Sequence, residues 1–71
     1  MTKHIKEING VSFEDLNDTY LLIEEALGVK KNPLMKIELT TCFMKLLSSV
    51  GWKLEDWNSA AVVAREIGYI K

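Results

Sequence analysis

Few side chains in this chain have a wide chemical repertoire: one histidine (His4), one cysteine (Cys42) and ten carboxylates. A zinc centre takes about four Cys or His ligands, or three with an open position for water. His4 and Cys42 satisfy neither, so no metal is expected. Nucleophilic catalysis by Ser or Cys needs a base beside the nucleophile, and the chain has no second histidine to build such a pair. Cys42 falls in an apolar stretch that reads as mid-helix, with no cation or helix N-terminus to lower its pKa. It is expected to be a small core residue. Glu14, Asp15, Asp18, Glu24 and Glu25 crowd the segment from Phe13 to Gly28, which carries no Lys or Arg. Paired carboxylates do acid–base work when a cleft shifts one pKa, but these should project from the solvent side of a helix. The four glycines are isolated, so there is no phosphate-cradling loop, and no EF-hand series appears. The expectation is a protein that is not an enzyme, with no cofactor and no small-molecule substrate.

The elements that position these residues follow from composition and punctuation. The chain has 71 residues, 48% apolar and 27% charged, at net charge −1. That balance fits one folded soluble domain and excludes disorder, which needs low apolar content and high net charge. A single cysteine excludes a disulfide scaffold. The apolar runs Tyr20–Ile23 and Ala60–Ala64 fall far short of the ~20 residues of a membrane span. No signal peptide opens the chain, and a reducing cytoplasm is the expected compartment.

Three helices are predicted, each closed by a glycine (Gly28, Gly51, Gly68) in the left-handed position past a helix end. The first begins at Ser12, whose hydroxyl can cap the first turn, with Val11 and Leu16 spaced as a hydrophobic staple. It runs to about Leu27. The second opens on Asn32-Pro33, a cap followed by proline at the first helical position, and continues to about Val50. The third starts between Lys53 and Asn58, with Glu55 and Asp56 favouring the earlier end, and stops near Ile67. Residues 1–11 form an N-terminal arm, in which a helical turn, a frayed segment and an edge strand all fit Ile5, Ile8, Val11 and the Asn9-Gly10 turn signal. The predicted fold is all-α: a compact three-helix domain over 12–71 behind that short arm.

Helical periodicity assigns the faces. The first helix buries Phe13, Leu16, Tyr20, Ile23 and Leu27. Leu21 and Leu22 lie off that stripe, one on each side, and a wide buried face that takes them in is the favoured reading over exposure of one. The third helix turns Trp57, Ala60, Ala61, Ala64 and Ile67 inward, with Leu54 and Val63 flanking and Val62 outside. Trp52, Tyr69 and Ile70 either seal the ends or stay partly exposed. The second helix is apolar on two sides. Met35, Leu39, Cys42, Phe43, Leu46 and Val50 make one face, and Leu34, Ile37, Thr41, Met44 and Ser48 make the other. A three-helix monomer needs only one such face. The second is expected to be covered by another subunit or partner, or failing that by Ile5 and Ile8 of the arm. Small domains bury only ~60% of their unfolded surface and often lean on oligomerisation.

Val63-Ala64-Arg65-Glu66-Ile67-Gly68-Tyr69 resembles the first helix and turn of helix-turn-helix regulators over those seven residues. The resemblance implies a recognition helix to enter the major groove, and the chain ends at Lys71 without one. DNA binding also takes several Lys or Arg contacts to phosphate, and Lys30-Lys31 is the only adjacent basic pair. A DNA-associated regulator is therefore the alternative reading. The primary one is a noncatalytic interaction module, a small regulator or inhibitor that binds a protein partner or its own copy as a homodimer. Its expected contact residues are Leu21, Leu22, Glu24 and Glu25 on the first helix, and Ile37, Thr41 and Met44 on the second. The acidic segment steers toward a basic surface.

Overall fold

The structure, a computed structural model, describes residues 5–70; His4 lies outside that range. In chain order the elements are strands β1 (Glu7–Ile8) and β2 (Val11–Ser12), then helices α1 (Phe13–Leu27), α2 (Lys36–Ser49) and α3 (Leu54–Glu66), with a 3-10 turn over Pro33–Met35 leading into α2. The domain is mostly helical, as expected, with one small sheet added.

The sheet occupies the stretch where three conformations stood open. Glu7 pairs with Ser12 and Ile8 with Val11, antiparallel. The Asn9-Gly10 loop has φ of 53° and 78°. Two successive positive values define a type I′ turn, and Asn-Gly adopts them at least cost. The Phe13 N–H donates to the Lys6 carbonyl at 2.8 Å, carrying the ladder into α1. Ser12 is both strand residue and helix cap, its Oγ accepting from the Asp15 N–H at 3.2 Å. At the other interior junction, Asn32 caps the 3-10 turn rather than α2 itself, accepting from the Leu34 N–H.

All three helices end in the same motif. After α2, the Gly51 N–H donates to the Ser48 carbonyl and the Trp52 N–H to the Leu47 carbonyl, at 3.2 and 2.8 Å. This is the Schellman pattern. Gly28 with Val29 and Gly68 with Tyr69 repeat it. Each motif folds the residue after the glycine back onto its own helix. For Trp52 the result is burial, with its indole N–H donating to the Val11 carbonyl at 3.3 Å. Gly51 has a second reason to be glycine. Its φ is +78°, and a Cβ there would collide with the Asn9 side chain.

One buried cluster joins Phe13 and Leu16 of α1, Phe43 and Leu47 of α2, Trp52, and Ala60, Ala61 and Ala64 of α3. Trp57 is half-buried at its edge, stacked on Phe13 at 4.5 Å, with Phe43 edge-on at 4.7 Å. Tyr20 meets Phe43 edge-on at 5.0 Å, joining the middles of α1 and α2, and the Trp52 bond to Val11 brings the end of α2 to the start of α1, so the two run antiparallel. These two make the closest helix pairing, and α3 stands further off. The alanines of α3 make room for rings, which fill the gap.

Several faces turn away from their expected positions. Cys42 is exposed, not core. The buried line of α2 is Leu39, Phe43 and Leu47, a rotation of roughly 50° from the expected face, toward Leu47. The cause is Trp52: the Schellman turn sets it on Leu47, which draws that side of α2 inward. Leu21 and Leu22 are both exposed rather than absorbed into a wide face. They sit ~120–140° from the centre of the α1 stripe, beyond what two neighbouring helices cover. Ile67 is exposed, as are Leu54 and Val63. The chain reverses at Gly68, so Tyr69 and Ile70 fold back over Ala64 instead. Ile5 and Ile8 pack on the core cluster rather than on the outer side of α2.

Candidate functional site

The outer face of α2 is built by three- and four-residue spacing. Leu34 is 82% exposed, Ile37 75% and Met44 47%, with Thr41 and Ser48 exposed along the same line. The Thr41 hydroxyl donates to the Ile37 carbonyl at 3.0 Å, and the Thr40 hydroxyl to the Lys36 carbonyl at 3.0 Å. Both bonds satisfy the hydroxyls against the helix backbone, which leaves the face more apolar than its composition implies. Exposed Glu38 and Lys45 flank the line on one side.

The outer side of α1 differs in character. Leu21 and Leu22 are 50% and 66% exposed, and helical spacing sets them among Asp18, Glu24 and Glu25. Leu21, Glu24 and Glu25 line an open depression of about 550 Å³ together with Gly28, Lys30 and Lys31. Glu24 also faces Tyr20, whose hydroxyl pKa is pushed up by burial and by that carboxylate. Leu22 does not line the depression.

The seven expected contact residues therefore separate. Leu21, Glu24 and Glu25 share the first depression. Met44 lines a second, of about 330 Å³, with Leu47, Ser48, Trp52, Lys53 and Leu54. Leu22, Ile37 and Thr41 line neither. All seven lie at or near the surface, Glu24 being half-buried and the rest exposed. Lys30 and Lys31 join the acidic patch unforeseen. The signal was local: a basic pair two residues past the glycine that closes an acidic helix.

Among the described residues, no group of three or more His, Cys, Asp or Glu could hold a metal ion. The carboxylate with the clearest environment is structural. Asp56 accepts from the Lys53 N–H at 3.1 Å, capping α3, and from the Lys6 ammonium at 3.2 Å, tying the hairpin to α3. These bonds, that to the Lys53 backbone first, hold its pKa below the usual carboxylate value. Tyr69 is shifted upward by burial and then by Asp18, Glu14 and Asp15. The segment from Val63 to Tyr69 is the last turn of α3 with its Schellman closure. The same geometry ends α1 and α2, which gives the helix-turn-helix resemblance a local cause.

Comparison of the chain with family models, curated proteins and solved structures finds no match.

Proposed function

We propose that the chain is a noncatalytic protein–protein interaction module, a small regulator or inhibitor that docks a protein partner through its helix faces. The supporting observation is the outer face of α2 and the turn before it, where Leu34, Ile37 and Met44 stand exposed. Burying such side chains is worth ~1.5–3 kcal/mol each. Three give a gross gain in the lower part of the ~4–15 kcal/mol that association costs in lost freedom. A working interface thus extends beyond α2, and Leu54, exposed beside Met44 in the second depression, is the adjoining apolar residue.

The test is site-specific photo-crosslinking in the cells that make the protein, with the crosslinker at Ile37 or Met44 and a control at exposed Glu55 on α3. A discrete protein adduct at 37 and 44 that is absent at 55, and is lost in Met44→Asp with the helical circular dichroism intact, supports the reading. Equal labelling at all three positions, or none, overturns it. If Met44→Asp unfolds the isolated chain, the face belongs to the core and the proposal fails.

A further inference from the structure

We propose that the depression at the end of α1 is an isologous contact for a second copy of this chain. The inference rests on the reading as an interaction module and assigns a different surface, and a defined partner, within it.

Leu21 forms the apolar part of the depression, Glu24 and Glu25 contribute carboxylates, and Lys30 and Lys31 contribute ammonium groups. Charges of opposite sign so close in sequence commonly pair with each other. Here they do not. Among the described residues, none of these four side chains makes an ion pair or a side-chain hydrogen bond. Between the acids and the lysines in the chain lies the Schellman turn at Gly28, followed by the Lys31 and Asn32 N–H groups both donating to the Gly28 carbonyl.

The acids are also badly placed for their own helix. Glu24 and Glu25 stand in the last turn of α1, and no basic residue stands there with them. Negative charge at the negative end of a helix dipole is destabilising. A cationic group arriving from outside would relieve both the dipole and the mutual repulsion of the carboxylates.

A two-fold contact requires a patch complementary to itself, so that residue i meets j while j meets i. A depression lined by unpaired acids, unpaired lysines and an apolar residue carries both members of such a pairing. Rotated by 180° onto its own copy, Glu24 and Glu25 meet the other copy's Lys30 and Lys31 twice over, and the two Leu21 side chains exclude water beside them. A purely acidic or purely basic patch would repel its copy. A basic partner would be matched by the acids alone and would leave the lysines opposed.

Charge-swap mixing tests this directly. The wild-type chain is examined by sedimentation equilibrium up to about 1 mM, which reaches weak association. It is compared with Glu24→Lys/Glu25→Lys, with Lys30→Glu/Lys31→Glu, and with an equimolar mixture of the two variants. Glu25, Lys30 and Lys31 are exposed and Glu24 is half-buried, and circular dichroism checks the fold of each variant. Should either lose its helical signal, Glu24→Gln/Glu25→Gln or Lys30→Gln/Lys31→Gln replaces it and is read for loss of association alone. The expected result is a wild-type dimer, a dissociation constant raised at least about tenfold in each charge-reversed variant, and recovery in the mixture, where every contact is again between opposite signs. A monomeric wild type at the highest concentration overturns the inference, while the α2 crosslinks remain the independent test of the module reading. A wild-type dimer insensitive to either reversal, or a mixture that does not recover, overturns it as well, because the contact then lies elsewhere.

Discussion

The two ends of the α1–α2 pair are built differently. At the hairpin end, the start of α1, the end of α2 and the body of α3 enclose Phe13, Phe43, Leu47, Trp52 and three alanines in one cluster. The hairpin is tied down there by the Trp52 indole and by Lys6–Asp56. At the turn end, the buried residues Val29 and Leu39 stand apart from that cluster. Around them Leu21, Leu22, Leu34 and Ile37 face outward. The same two helices thus bury most of their apolar residues at one end, Met44 excepted, and display most of them at the other. What distinguishes the ends is the third body. α3 and the folded-back Trp52 cover the hairpin end, and no described element covers the turn end. Stability should therefore concentrate where the rings are, and recognition along the exposed side that runs from Leu34 and Ile37 at the turn end to Met44.

Replacing a ring at the hairpin end should break this comparison most severely. Phe13→Ala removes the stacking partner of Trp57 and should cost ~3–5 kcal/mol by urea denaturation, a large share of the stability a domain of this size holds. A loss below ~1 kcal/mol would show that the cluster does not anchor the fold. Next is Gly51→Ala, which forces an alanine to positive φ at roughly 1–2 kcal/mol and adds the collision with Asn9. In an Asn9→Gly background the collision is absent, so the same substitution should cost measurably less. Equal costs in both backgrounds would mean that the hairpin does not press on this turn.

A smaller effect should come from acid. Because Asp56 has a depressed pKa in the folded chain, its contribution is present above the ordinary Asp value, near pH ~4, and is lost as pH falls through the folded value. Asp56→Asn should flatten that part of the stability–pH curve, and an unchanged curve would separate the Lys6 tie from stability. The smallest effect is expected at the turn end. Leu22→Glu and Ile37→Glu should shift stability by no more than ~0.5 kcal/mol, since neither side chain is covered. A loss of several kcal/mol on thermal melting would make these residues core and erase the contrast between the ends.

The parts of this fold that were legible in the sequence are those decided within a few residues. Ser12, Asn32, Gly28, Gly51 and Gly68 each satisfy orphaned backbone groups of an adjacent turn. That requirement depends only on side-chain chemistry and φ, so the helix ends fall close to where the residues mark them. The apolar second side of α2 was visible for the same reason, because helical spacing alone places Ile37, Thr41 and Met44 together. The hairpin was harder. Two-residue strands have too short a period to distinguish from a helical turn, and only the pairing of Ile8 with Val11 makes them strands.

What tertiary structure alone decided is which flank of each stripe is covered. Periodicity locates an apolar stripe only to within a few tens of degrees, and Cys42 and Leu47 lie on opposite flanks of the α2 stripe. The choice between them was made by Trp52, which a glycine turn swings onto Leu47. Leu21 and Leu22 stay outside because no third element reaches them. The sequence by itself set where the chain stops, caps and turns, since those are local bonds. Burial depends on what arrives from elsewhere in the chain, and only the packed structure contains that.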